Sequence, residues 1–130
     1  MIHSADEFKR YSQSEDDDEF SKIYDLASDE VWLEVLSTYP ELSRYVALNH
    51  TISIKILERL SMSENREVRW EVATKRRISR IIFERLARDE DSSVRQRIAC
   101  NPKAPEDILT LLASDTDELV AEFAKERLRS

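Results

Sequence analysis

The chain has no glycine, only three prolines and a single cysteine among its 130 residues. β-Sandwiches and doubly wound α/β folds normally need glycine in tight turns and in phosphate-binding loops. The absence of glycine therefore favours helices joined by unstrained turns. It also excludes Walker A loops and dinucleotide-binding fingerprints, because both depend on a glycine backbone.

Sulfur chemistry and long apolar runs are equally scarce. One cysteine, Cys100, excludes an intramolecular disulfide and is typical of a reducing compartment. No apolar run approaches the roughly 18 residues that a membrane span requires. The first ten residues are polar and acidic, unlike a secretory signal peptide. We therefore expect a soluble cytoplasmic protein that does not bind membranes.

Apolar residues recur along the chain at a spacing of 26 residues, which indicates an internal repeat. Each copy contains two apolar clusters with helical spacing, so each predicts a first helix, A, and a second helix, B. The recurring sets are Leu42, Val68, Val94 and Val120; Val46, Val72 and Ile98; Ala47, Ala73 and Ala99; Ile56, Ile82 and Ile108; Leu57, Phe83 and Leu109; and Leu60, Leu86 and Leu112.

Two-helix copies bury their apolar faces only against each other, which is the packing of an α-solenoid. We therefore predict an all-α fold, a right-handed α-solenoid of stacked two-helix repeats that forms a single domain over 1–130. Its predicted parts are N-terminal capping helices at 1–40, repeats at 41–66, 67–92 and 93–116, and a C-terminal capping helix at 117–130.

Several polar residues fall where helix A begins or ends. Asn65, Asp91 and Asp117 precede the A helices and are predicted N-caps. Asn49 and Asn101 follow the A helices, where asparagine commonly adopts a left-handed cap conformation in place of glycine. These residues predict the boundaries of the short helices.

The stretch "VRQRIACNPKAPEDILTLLASDTDELV", 94–120, combines a Val-Arg pair, an apolar-Ala pair, Asn-Pro, a second proline, a leucine pair and acidic caps. In these features it resembles the repeats of variant leucine-rich repeat and HEAT-like proteins. The resemblance covers about 41–128. It implies the fold but not the function, because this architecture serves many functions. Some variant leucine-rich repeat proteins carry a cysteine-ligated iron–sulfur cluster, and one cysteine cannot hold such a cluster.

The groups that carry chemistry are few and scattered. His3, His50 and Cys100 are the only imidazole and thiol groups, and their spacing does not predict a metal site. Cys100 follows an apolar-Ala pair and is expected to be an unreactive, half-buried thiol. We therefore expect no catalytic residues, no metal and no cofactor, and predict that the protein is not an enzyme.

Basic residues concentrate in the middle of the chain. Residues 66–103 carry eleven basic and six acidic side chains, whereas 1–65 carry six basic and fourteen acidic ones. The predicted partner-binding residues of this basic region are Trp70, Lys75, Arg76, Arg77 and Arg80. A solvated turn is the alternative interpretation of these cations.

Two aromatic and two arginine positions complete this prediction. Trp70 aligns with polar residues of the other copies, so it should face away from the core, either toward solvent or against the next helix A. Trp32 aligns with core positions and should be buried. Arg69 and Arg95 recur in the Val-Arg pair, and we expect them to bind an acidic residue such as Asp89 or Asp115.

The densest acidic run is a second candidate for partner binding. Acidic residues at a helix N-terminus are favoured by the helix dipole, and a run of them also forms a solvated face or attracts a basic partner. The run consists of Glu15, Asp16, Asp17, Asp18 and Glu19.

Three functions remain open from the sequence. The first is a non-enzymatic protein-binding α-solenoid, in particular an inhibitor or a toxin-immunity protein, because small acidic helical chains resemble bacterial immunity proteins. The second is a nucleic-acid-binding protein or a HEAT-like DNA glycosylase, with Trp70 and the arginines on a basic face. The net charge of −7 makes nucleic acid an unfavoured partner. The third is a scaffold subunit of a larger complex.

Overall fold

A computed structural model describes residues 1–130, which fold into ten α-helices and two short 3-10 helices, Ser21–Tyr24 and Pro40–Leu42. The predicted all-α class is confirmed: the only extended pairing is an isolated bridge between Ile2 and Ala27. The α-helices are α1 Ala5–Ser12, α2 Asp17–Phe20, α3 Asp29–Thr38, α4 Ser43–Leu48, α5 Ile54–Leu60, α6 Arg66–Thr74, α7 Arg80–Ala87, α8 Ser92–Ala99, α9 Glu106–Leu112 and α10 Glu118–Arg129.

The helices belong to two compact units, Met1–Leu60 and Ser61–Ser130. In the first unit α1 packs against α3, and the rings of Phe8 and Trp32 meet edge to face with centroids 5.2 Å apart. Both side chains are fully buried, which confirms the core position predicted for Trp32. Such aromatic pairs add to the free energy gained by burial alone.

The second unit buries the apolar positions that recur at the 26-residue spacing. Val68, Val94 and Val120 are fully buried on α6, α8 and α10, and Leu86 and Leu112 are buried on α7 and α9. Helix α8 packs against α6, α7 and α10, so these side chains meet in one core. None of the ten helices has the length and apolar composition needed to cross a bilayer.

Side-chain caps define where the short helices begin. Asn65, Asp91 and Asp117 accept backbone N–H groups at the starts of α6, α8 and α10, which confirms the predicted N-caps. Ser79 does the same at the start of α7. Each cap satisfies an N–H group that a helix of only two or three turns would otherwise leave free.

The left-handed caps predicted at Asn49 and Asn101 are wrong, because no residue of the chain has a positive φ. Both side chains are fully buried, and each amide instead donates two hydrogen bonds to carbonyls far back in the sequence. The amide of Asn101 reaches the carbonyl oxygens of Ala73 at 2.8 Å and Lys75 at 2.9 Å. Asparagine is needed at these positions for its amide donors and not for its backbone conformation.

The position of these asparagines recurs every 26 residues, and it is occupied in turn by Asn49, Lys75, Asn101 and Arg127. The amide of Asn49 donates to the carbonyl oxygens of Ile23 and Asp25, at 2.9 Å each. Arg127 donates from Nη1 to the carbonyl oxygens of Ala99 at 3.1 Å and Asn101 at 2.9 Å. Asn49, Asn101 and Arg127 therefore each bind two backbone carbonyls that lie 24 to 28 residues earlier, whereas Lys75 makes no such bond.

Arg69 and Arg95 form the predicted internal ion pairs. Nε and Nη2 of Arg69 bind both carboxylate oxygens of Asp89, at 2.8 and 3.2 Å. Arg95 binds Asp115 in the same two-pronged way, at 2.8 and 3.1 Å. The hydrogen bond to the carboxylate raises the pKa of each arginine, so both stay charged in the folded chain.

Candidate interaction surface

Four cations lie on two adjacent turns of the second unit, and we call Lys75, Arg76, Arg77 and Lys103 the basic ridge. The first three follow the C-terminus of α6, and Lys103 follows the C-terminus of α8. The Asn101 side chain joins the turns, because its amide donates to the Lys75 carbonyl and its oxygen accepts the Lys103 N–H at 2.9 Å. The sequence analysis did not include Lys103 among the candidate residues.

Arg77 has an interaction within the chain, and the other three cations of the basic ridge are not neutralised by an ion pair. Arg76, Arg77 and Lys103 are exposed, whereas Lys75 is half-buried, and this burial lowers the pKa of its ammonium group. Lys75, Arg76 and Lys103 form no ion pair within the chain. Their positive ends are therefore available to an external anion.

Arg80 differs from the other predicted basic residues, because it is held by two carboxylates of its own unit. Its Nη1 donates to Asp107 at 2.9 Å, its Nη2 also binds Asp107, and its Nε donates to Glu84 at 2.9 Å. The hydrogen bond from Arg80 lowers the pKa of Asp107. Arg80 thus links α7 to α9, and its charge is already paired within the unit.

Trp70 lies on the outer side of α6 with 39% of its surface exposed, as its position in the repeat predicts. The guanidinium carbon of Arg97 is 5.8 Å from the centre of the indole ring, at cation–π distance. Arg97 is half-buried, forms no ion pair and has no hydrogen-bond partner for its Nε. The surface thus combines a large aromatic ring with an unpaired guanidinium group.

The alignment of Trp70 with its direct equivalents in the other copies, Arg44 and Gln96, does not indicate Arg97 as a contact. A side chain on one helix A also meets the residues that flank its equivalent on the packed neighbour, and Arg97 follows Gln96 directly. The packing of α6 against α8 places Arg97 there. A search of the flanking positions for aromatic–cation pairs would have found it.

The acidic run lies in the first unit, at the start of α2. Asp16 is the N-cap and accepts the Glu19 N–H at 3.0 Å, while Asp17 and Asp18 occupy the first turn and are exposed. Glu15 is exposed, and Glu19 is 3.8 Å from Arg10. Capping and the helix dipole therefore account for part of this charge.

The structure contains no group of three or more His, Cys, Asp or Glu side chains that would hold a metal ion. Cys100 is a half-buried free thiol at the end of α8. Comparison of the chain with protein-family models, with curated proteins and with solved structures finds no match.

Proposed function

We propose that this chain is a non-enzymatic protein-binding α-solenoid that acts on its partner by binding it, as an inhibitor or immunity-type protein does. The solenoid part of the proposal is supported by recurrence within the second unit. The same buried positions, the same N-caps and the same arginine–aspartate pair return after 26 residues on α6 and α8. Such nearest-neighbour repetition is typical of stacked helical repeats.

The observation that carries the binding function is the half-exposed Trp70 with Arg97 against its ring. Tryptophan and arginine are the residues most enriched among the few that dominate the free energy of protein–protein binding. A tryptophan with this exposure leaves apolar area in water, and a partner that covers it recovers the hydrophobic free energy. No internal role requires that Trp70 remain exposed.

The charge distribution favours a protein partner over nucleic acid. The second unit carries fourteen basic and fourteen acidic residues, and the first unit carries six basic and thirteen acidic ones. Nucleic-acid binding draws most of its affinity from a broad positive surface. Neither unit has that excess of positive charge.

Affinity capture tests this proposal with two forms of the full chain, the wild type and Trp70→Ala. We expect one protein from extract of the source organism to bind the wild type in stoichiometric amount. Truncating a central tryptophan typically costs about 2 kcal/mol of binding free energy, so Trp70→Ala should bind the partner about thirtyfold more weakly. Quantitative mass spectrometry of nuclease-treated extract provides the measurement.

Met62→Ala is the matched control for the capture experiment, because Met62 is another exposed large apolar residue of the same unit. This variant should capture the partner like the wild type, and circular dichroism should show that all three forms are folded. Capture of no protein, or loss of the captured material on nuclease treatment, refutes the proposal.

A further inference from the structure

We infer that Trp70, Arg97 and the basic ridge bind an acidic peptide segment of the partner, with an aromatic or aliphatic side chain next to its carboxylates. This inference rests on the proposed function and characterises the partner by its chemistry. It assigns the recognition to the basic and aromatic surface of the second unit and not to the acidic run at the start of α2.

The first argument is that several arginines of the second unit have partners within the chain, whereas most cations of this surface do not. Five arginines have structural partners: Arg66 with Asp91, Arg69 with Asp89, Arg80 with Asp107, Arg95 with Asp115, and Arg127 with backbone carbonyls. Lys75, Arg76, Lys103 and Arg97 form no such pairs, although they lie on adjoining turns and packed helices. Their charge is therefore not used in an ion pair within the fold.

The second argument is that the backbone beneath these cations is held in place. The Asn101 amide fixes the carbonyls of Ala73 and Lys75, and Arg127 fixes the carbonyls of Ala99 and Asn101. A surface that is ordered before binding loses less conformational entropy when the partner arrives. The backbone that carries the basic ridge is thus preorganised by the side chains of Asn101 and Arg127, which lie outside the ridge.

The third argument concerns the class of anion. Glu67 and Glu71 flank Trp70 on α6, and Glu71 lies close enough to Lys75 to raise its pKa against the effect of burial. A nucleic-acid backbone carries a phosphate at every nucleotide and would meet these carboxylates. An acidic peptide places its few carboxylates at the arginine and lysine groups and its apolar side chain on the indole. Arginine binds carboxylates with two parallel hydrogen bonds, which favours Arg76 and Arg97 as the anchors.

Fluorescence anisotropy of short labelled probes on the full chain tests the inference. The probes are a peptide of Asp and Glu residues with a central Phe, the same peptide with Asn and Gln for Asp and Glu, and an oligodeoxythymidine. We expect the acidic peptide to bind about tenfold more tightly than the neutral one at low salt, and to lose this advantage at high salt because the contacts are charge pairs.

Two matched variants locate the binding site. Arg76→Glu reverses a charge of the basic ridge, and Arg88→Glu reverses another exposed arginine without an ion pair, at the opposite end of α7. Because both change the net charge equally, only a local contact separates them. We expect Arg76→Glu to weaken binding of the acidic peptide at least tenfold and Arg88→Glu to leave it within about twofold. Arg76→Lys should give an affinity between these two, because lysine keeps the charge but not the paired hydrogen bonds.

Equal binding of the acidic and neutral peptides, tighter binding of the oligodeoxythymidine, or equal effects of the two charge reversals would each overturn the inference. So would salt-sensitive dimerisation of the chain that Asp17→Asn with Asp18→Asn abolishes, because a second copy would then occupy the surface. If Arg76→Glu captures the natural partner as well as the wild type does, only this inference fails. If no protein is captured by the wild type, the proposed function fails.

Discussion

At the scale of single residues, the ion pairs of this chain differ mainly in burial. The Arg95–Asp115 pair exposes 15% and 9% of its two side chains, and Arg95 also donates to the Asp89 carbonyl oxygen at 2.7 Å. The Arg129–Glu122 pair exposes 66% and 60% and is 3.9 Å long. A buried charge that loses its partner costs far more than a solvated one, so only the first pair should matter for stability.

Arg95→Met should lower the free energy of unfolding by about 2–4 kcal/mol, because it leaves the Asp115 carboxylate buried without a counter-charge. Urea unfolding followed by circular dichroism provides the measurement. Arg129→Ala is the control and should change the free energy by less than about 0.5 kcal/mol. Equal losses in the two variants would contradict the assignment of Arg95 as a structural residue.

Replacement of Asp115 in the Arg95→Met variant shows how much of the lost stability comes from the unpaired, buried carboxylate. Arg95→Met combined with Asp115→Asn should recover part of the loss seen in Arg95→Met, because the double variant leaves no buried carboxylate. A double variant that is less stable than Arg95→Met would contradict this explanation. The comparison separates the desolvation cost of the carboxylate from the packing of the arginine side chain.

At the scale of helices and turns, Asn101 connects the end of α8 to the end of α6. Its backbone has the negative φ common to the whole chain, and its amide supplies donors to two carbonyls of the preceding copy. This contact explains how helices of only seven to nine residues end in fixed positions. Isolated helices of this length are unstable in water, so their order comes from such tertiary contacts.

Replacement of Asn101 separates a backbone role from a side-chain role. Asn101→Ala should cost about 2 kcal/mol, because two buried carbonyls lose their donors. Asn101→Gly should cost at least as much, since no positive φ exists for glycine to relieve. Thermal or urea unfolding gives the stability of both variants. A glycine variant as stable as the wild type would support the left-handed cap at this position and contradict the side-chain role.

The helices, their N-caps and the buried faces were predictable because each depends on residues close together in sequence. Val68 and Val72 share one helix face, and Asn65 caps a helix that begins one residue later. The double hydrogen bonds of Asn101 and the contact of Arg97 with Trp70 join residues 26 to 28 positions apart. Such contacts follow from how α6, α8 and α10 pack, and no local pattern indicates which donor meets which acceptor.

The candidate surface was predictable in part for the same reason. The density of cations at 75–77 is a local feature, and it marks a turn where Lys75 and Arg76 form no ion pair within the chain. The same density placed Arg80 among the predicted binding residues, although its partner Asp107 lies on another helix. Charge in the sequence thus locates basic residues, but only the fold tells which of them are already neutralised.

At the scale of the whole molecule, several carboxyl groups bind protons less readily than usual. Hydrogen bonds lower the pKa of Glu7 through the His3 N–H, of Asp25 through the N-terminal ammonium, of Asp91 through Ser93 and of Asp107 through Arg80. Burial alone would raise the pKa of Asp115, but hydrogen bonds from Arg95 and the Asp117 N–H outweigh it and lower the pKa overall.

These shifts predict the pH dependence of folding. A carboxyl group whose pKa is lower in the folded chain stabilises it above the unfolded value, about 3.9 for Asp, and loses this contribution as pH falls through the folded value. Stability should therefore be level above about pH 5 and decline steadily below about pH 4. Urea midpoints across this range give the measurement.

Asp115→Asn provides the control for the acid titration, because the amide does not titrate. The variant should be less stable than the wild type at neutral pH, and its stability should fall less steeply as the solution is acidified. A wild-type chain whose urea midpoint is independent of pH down to about pH 2 would contradict the lowered pKa values.

The absence of positive φ angles has a consequence for how freely this chain tolerates mutation. No turn uses a left-handed backbone conformation, so no turn position is reserved for glycine. Exposed turn residues such as Met62 and Lys103 can therefore be exchanged widely without loss of folding. In a saturation screen scored on foldedness, intolerant turn sites should coincide with side chains that hold distant backbone, such as Asn49 and Asn101.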